Sequence, residues 1–186
     1  MKLNIFTILV FFLFFYFFIN VPVKAENINF NNDVYSLKTV NFSEINKGYE
    51  NEYFAENEDK NNWTKMIGIY HYPEIKKPII FAQSADKEIE MKTSVLLLKF
   101  VANKKQEKAI LSFIDIGENG GKYYVEHNIY KYEPDFQKGM IILKYAKKYF
   151  GNSEKEFIDI SHEIKNINDD LIEQIIVSPI PSIVEK

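Results

Sequence analysis

The sequence contains no cysteine and no arginine, and these two absences exclude different classes of protein. Without cysteine there is no disulfide framework and no thiolate for catalysis or metal binding, so packing of the core alone must hold the fold. Without arginine the chain lacks the planar group that binds phosphate or carboxylate through two parallel hydrogen bonds. Acidic residues also outnumber lysines, 26 to 23. Such a chain is a poor candidate for binding nucleic acid or anionic membrane surfaces.

Recognisable catalytic and cofactor motifs are missing as well. The chain has three histidines, and none of them belongs to an HxH or HExxH pattern. No G-x-S-x-G segment surrounds a serine, and the one glycine-rich stretch, "GENGG" at 117–121, leads into a predicted strand. Phosphate loops instead lead into the first turn of a helix. We therefore predict no cofactor, no metal and no catalytic residue.

The first 25 residues predict a secretory signal peptide. Lys2 is followed by an apolar run without charge from 5 to 19, and Val23 and Ala25 stand at the −3 and −1 positions before Glu26. That layout predicts cleavage between Ala25 and Glu26. The alternative is an uncleaved segment that holds the chain to the inner membrane, although the run is shorter than the ~20 residues that a spanning helix needs. If the signal peptide is cleaved, we expect the mature protein to be exported to the periplasm or to the outside of the cell.

The mature chain has the length of a single domain. A polar leader with one short strand is predicted first, and the domain ends where two prolines break the last helical pattern. A polar turn (57–62) precedes the strand at 63–73. Trp63, at the junction of the two, is predicted to be a buried aromatic anchor. The predicted segments are the signal peptide (1–25), the leader (26–50), the domain (51–177) and an extended tail (178–186).

The periodicity of the apolar residues predicts an α+β fold, an antiparallel sheet of about five strands packed with two amphipathic helices. One or two strands and a helix at 81–103 come first. Three strands that follow one another as a meander come next, and a final helix begins at Ser153, whose hydroxyl and Glu156 form a capping-box pattern. The predicted meander strands are 108–117, 122–132 and 140–150.

This order of elements resembles that of PsbP-like and DcrB-like domains, small exported α/β domains. The entry "EYFAENEDKNNWTKMIGI", an extended segment and an acidic turn before a strand that begins W-T-x-M, is similar to theirs. The resemblance covers about residues 34–177. It implies an accessory or binding protein without catalysis, although a fold alone does not determine a function.

Tyrosine is the unusual positive feature of the chain. Tyr124, Tyr130 and Tyr132 alternate along one predicted strand, which directs all three to one face of the sheet. Tyrosine is favoured at protein interfaces because it combines a large apolar ring with a polar tip. We take these three tyrosines and His71 as the candidate interaction face, against the alternative that helices cover most of the tyrosines as core.

Two functions remain open at this stage. The first is an exported, non-enzymatic accessory or interaction protein of the bacterial envelope, acting in secretion or host interaction through a protein partner. The second is a small exported hydrolase that uses His71 or His127 with a nearby carboxylate. The second requires the base and its partners to lie within hydrogen-bond reach, which the fold decides.

Overall fold

The computed structural model describes residues 27–119, 122–135 and 138–185. Within them the chain forms one antiparallel sheet of eight strands and two helices, so the prediction of about five strands is wrong. The elements are β1 (Asn27–Phe30), β2 (Asp33–Ser43), β3 (Gly48–Ala55), β4 (Lys65–Tyr72), α1 (Pro78–Glu90), β5 (Val95–Ala102), β6 (Ala109–Asn119), β7 (Lys122–Pro134), β8 (Met140–Phe150) and α2 (Glu154–Val177).

The sheet consists of two four-stranded meanders joined side by side. Its spatial order is β1-β2-β3-β4-β8-β7-β6-β5, so each meander contains neighbours in the sequence. Only the central seam pairs strands that are distant in the chain, with Ile69 of β4 opposite Leu143 of β8. The α1 helix connects the two meanders. The second meander begins at the far edge strand β5 and returns strand by strand until β8 pairs with β4.

Most of the strands that the sequence patterns did not predict lie in two segments, one predicted as part of a helix and one as a polar leader. The helix predicted for 81–103 is in fact α1 followed by the edge strand β5. Its apolar residues recur at helical spacing on both sides of residues 91–94, and no glycine or proline marks the turn between them. The predicted leader 26–50 contains β1, β2 and the beginning of β3, which belong to the same sheet as the rest.

The two helices lie on opposite faces of the sheet. On the α1 face, the helix packs on β5, β6 and β7 around Leu111, Phe113 and Tyr132. On the α2 face, Leu171, Ile172 and Ile175 of the helix belong to a larger cluster that includes aromatic residues of β1, β2, β3 and β8. The α2 face is therefore the main core, and the α1 face is covered over only part of its width.

The predicted signal peptide, with Ala25 and Glu26, lies outside the described residues. Neither of the two helices in the described part of the chain is long and apolar enough to cross a membrane.

Candidate interaction face

Among the described residues, α1 packs mainly on β5, β6 and β7, and part of the α1 face beside it has no described helix over it. Because side chains alternate along each strand, β3, β4, β7 and β8 send charged and aromatic residues to this area in register. We call it the open face. Its residues are Glu50, Glu52, Trp63, Tyr70, Tyr124, Glu126, Tyr130, Lys144 and Lys148.

The three tyrosines of the predicted interaction face do share one face, but they differ in exposure. Tyr132 is 3% exposed, because Phe81 of α1 covers it with a ring-centroid distance of 6.2 Å. Tyr130 is partly buried and stacks on Tyr132 and on Phe113. Tyr124 is also partly buried and lies over Gly117, which stands opposite it on β6. Tyr124 and Tyr130 thus belong to the open face, and Tyr132 belongs to the core.

Two lysines of β8 lie between aromatic rings and a shared carboxylate at the centre of the open face. The Nζ atom of Lys148 is 3.7 Å from the ring centroid of Trp63 and 4.8 Å from that of Tyr124. The Nζ atom of Lys144 lies over Tyr130 at 5.4 Å. Glu126 is 3.9 Å from Lys144 and 4.0 Å from Lys148. Each lysine therefore contacts both an aromatic ring and the Glu126 carboxylate.

The electrostatics of the two lysines differ although they share Glu126. Burial lowers the pKa of Lys148, with Lys144 adding to the effect and Glu126 opposing it. For Lys144, burial also favours the neutral form, but Tyr130, Glu126 and Glu52 outweigh it and raise the pKa. Both lysines are charged at neutral pH, so the centre of the open face is an array of alternating charges.

A pair of carboxylates on β3 borders this array. Glu50 and Glu52 point to the same face of one strand, and neither forms a salt bridge within the described residues. Burial raises the pKa of Glu52; Lys144 opposes this effect, and the neighbouring Glu50 adds to it. The Tyr72 hydroxyl donates to Glu50 at 2.7 Å, which leaves the negative charge unneutralised. A cation placed between the two glutamates would relieve this repulsion.

His71 lies on the opposite face from the three tyrosines, so the structure does not bring it to the open face. Its Nε2 atom is 2.8 Å from the Lys138 carbonyl oxygen and 3.1 Å from Asp135 Oδ2. Because both partners are acceptors, Nε2 carries hydrogen and ties the loop between β7 and β8 to the end of β4.

His127 is completely buried beneath α2, in a polar group that resembles a catalytic triad in composition. Asn168 Oδ1 accepts from the Ser112 hydroxyl at 2.5 Å and from His127 Nε2 at 2.9 Å. Ser112 and His127 have no exposed surface, and Asn168 has 5%. Since no substrate reaches the serine and its proton is directed to the amide, this group joins α2 to the sheet.

The two histidines are far apart. Their strands place His71 opposite Ile141 and His127 opposite Lys147 on β8. Six residues of a strand span about 20 Å, which excludes a shared site. Within the described residues, no group of three histidine, aspartate or glutamate side chains is placed to hold a metal ion.

Residues 19–180 match the model of an uncharacterised protein family. The chain belongs to that family. No curated protein and no solved structure matches this family member, and nothing in the comparisons links it to PsbP-like or DcrB-like domains.

Of the open face of this family member, the sequence analysis predicted Tyr124 and Tyr130. Alternation along β7 and β8 places Glu126, Lys144 and Lys148 beside the tyrosines. Alternation along single strands does not predict that Glu50, Glu52 and Trp63 lie on the same face. Their position beside β8 depends on the pairing of β4 with β8, which no local pattern encodes.

Proposed function

We propose that the protein is an exported, non-enzymatic accessory protein of the bacterial envelope that acts in secretion or host interaction by binding a partner protein through the open face. One observation carries the proposal: charged side chains and aromatic rings that contact one another cover a part of the sheet face over which no helix of the described residues lies. A surface whose side chains already hold one arrangement loses little entropy on binding.

The chemistry of the open face supports a partner with a cationic segment. The carboxylates of Glu50, Glu52 and Glu126 outnumber the ammonium groups of Lys144 and Lys148. Neither Glu50 nor Glu52 forms a salt bridge within the described residues, and the more distant Lys144 and Lys60 only partly offset the charge of Glu52. Lysine or arginine side chains of the partner would pair with Glu50 and Glu52, and Tyr70 and Tyr130 beside them offer apolar contact.

The test compares charge reversals on two surfaces of the mature protein. Wild type, Glu52→Lys and the control Glu163→Lys, an exposed residue of α2, are crosslinked in envelope and secreted fractions. We expect a component captured by the wild type and by Glu163→Lys to be lost with Glu52→Lys, while all three proteins keep the same melting temperature. Equal capture by the two variants, or no specific capture by the wild type, contradicts the proposal.

The hydrolase alternative now depends on one contact, the His71–Asp135 pair at 3.1 Å. His127 offers no comparable pair, since its partners are Ser112 and Asn168. Hydrolysis of ester or peptide substrates by the wild type, lost in a folded His71→Gln variant, would favour an enzyme over a binding protein.

A further inference from the structure

A cavity opens on the α2 face of the sheet, at the corner where β5 ends, β6 begins and α2 ends. Its apolar lining comes from Val101 and Ala102 of β5, Ala109 and Ile110 of β6, and Ile176 in the last turn of α2. The cavity has a volume of about 230 Å³. Val101 and Ile176 are 38% and 50% exposed, so apolar surface at this corner stays accessible from solvent.

The polar side of the cavity is formed by Lys108, Lys131 and Glu133. The Nζ atoms of both lysines lie near the same oxygen, Glu133 Oε1, at 3.0 Å and 3.1 Å. Lys131 also donates to the carbonyl oxygens of Ile176 and Ser178, and these three acceptors use all the hydrogens of its buried ammonium group. The Lys108 side chain is 48% exposed, and Glu133 is its one ionic partner among the described residues. Lys108 therefore keeps hydrogens that can be donated to a ligand.

An ordered, lysine-rich turn borders the same cavity. Asn103 lines the cavity, and its Oδ1 atom accepts from the amides of Glu107 and Lys108 at 2.8 and 3.1 Å. Because Oδ1 is used inside the turn, the Nδ2 group of Asn103 is a second donor for a ligand. In the turn and the lining together, lysines outnumber glutamates although the whole chain is acidic. These residues are Lys104, Lys105, Lys108 and Lys131 against Glu107 and Glu133.

We propose that this cavity, the corner site, binds the anion of a medium-chain fatty acid. The carboxylate would accept from Lys108 Nζ and Asn103 Nδ2, and the chain would lie against the aliphatic lining. The excess of lysine favours an anion over a cation. No aromatic ring of the described residues lines the cavity, which favours an alkyl chain over a planar ligand. Small-molecule pockets begin at about 300 Å³, so this cavity suits a chain of about eight carbons and not a whole lipid.

Neither the tail nor the open face takes part in the corner site. From Ser178, beside Lys131, the tail runs to Asn51 of β3, away from β5. The open face lies on the other side of the sheet, so this proposal and the proposed function stand or fall separately.

The test titrates the mature wild-type protein with sodium octanoate and follows backbone amide signals by NMR. Octylammonium chloride, a probe with the same chain and the opposite charge, is the matched control. We expect octanoate to bind with a dissociation constant of about 1 mM or lower and to shift amides of 101–103, 108–110 and 131–133. Octylammonium should bind at least about tenfold more weakly. Shorter carboxylates should lose up to about fourfold in affinity for each missing methylene.

Two variants locate the site. Lys108→Glu should weaken octanoate binding at least about tenfold, whereas Lys92→Glu, at an exposed lysine in the turn before β5, should bind like the wild type. Val101→Phe fills the cavity without a change of charge and should also lose binding, which covers the case in which Lys108→Glu does not fold. Equal binding of the two probes, equal binding by the two glutamate variants, or octanoate shifts outside the corner site overturn the proposal.

Discussion

At the residue scale, the environment of His127 makes the free energy of unfolding depend on pH. Burial lowers its pKa from 6.5 to about 4; the hydrogen bond that His127 donates to Asn168 opposes this effect, and Lys147 adds to it. Between those two values the unfolded chain binds a proton that the folded chain excludes, so the free energy of unfolding falls as the pH drops through this range. This difference in pKa lowers the free energy of unfolding by about 3 kcal/mol at pH 4 relative to neutral pH.

We therefore expect the wild type to lose about 3 kcal/mol more than His127→Gln does between pH 7 and pH 4, measured by urea unfolding. The exposed His162 gives a matched control, because His162→Gln should follow the wild-type slope. Parallel slopes for the wild type and His127→Gln would show that His127 is protonated within the folded protein.

The structure also changes the loss of stability that we expect when Trp63 is substituted. The sequence predicts a buried anchor, but the ring is partly exposed and packs on one side against Phe54, Met66 and Ala146. On its other side it contacts the ammonium group of Lys148. Removing a fully buried tryptophan costs about 3–5 kcal/mol, and for this partly exposed one we expect about 2 kcal/mol from Trp63→Ala.

Trp63→Phe is the control for that measurement, since it keeps an aromatic face for Phe54 and Lys148 and should cost less than half as much. Chemical denaturation of both variants gives the comparison. A loss of 4 kcal/mol or more in Trp63→Ala would mean that the ring supports more of the sheet than its contacts indicate.

At the scale of elements, α2 begins with hydrogen bonds that the sequence predicted in part. The Ser153 hydroxyl accepts from the Glu156 amide at 3.3 Å, as a capping box requires. The Glu156 carboxylate, however, accepts from the amide of Asn152, one residue earlier than in the usual arrangement. The cap therefore satisfies donors on both sides of Ser153.

Loss of this cap should lower the stability of the whole protein, because α2 covers the main core. We expect Ser153→Ala to reduce the free energy of unfolding by about 1 kcal/mol. Ser161→Ala in the same helix is the control: its hydroxyl returns to the Phe157 carbonyl within the helix, and its removal should be neutral or slightly stabilising. Equal effects of the two substitutions in urea unfolding would exclude a capping role for Ser153.

The elements that sequence patterns find here are those whose periodicity is unbroken. The strands at 109–119, 122–134 and 140–150 and the helix from Glu154 lie close to the predicted ranges. The pattern fails for β5, where apolar residues of a strand continue the spacing of the helix before it. It fails for β1 because "NINF" is half asparagine, and its place in the sheet depends on Phe30 packing on Tyr145 of a distant strand.

At the scale of the whole molecule, the two meanders are protected unequally. Strands β6 and β7 and much of β8 lie between a helix on one face and a helix or aromatic residues on the other. Strands β2 and β3 are covered by the tail and apolar residues on the α2 face. On the α1 face, β3 contributes Glu50 and Glu52 to the open face. Local stability follows burial and the number of covered faces, so the β1–β3 half should open more easily.

Native-state hydrogen exchange measures this difference directly. We expect amides of β6, β7 and β8 to exchange only through global unfolding, and those of β2 and β3 to exchange through a smaller opening with a lower free energy. The seam supplies an internal reference, because β4 pairs with both halves and should follow β8. If all strands exchange at one free energy, the two meanders unfold together as a single cooperative unit.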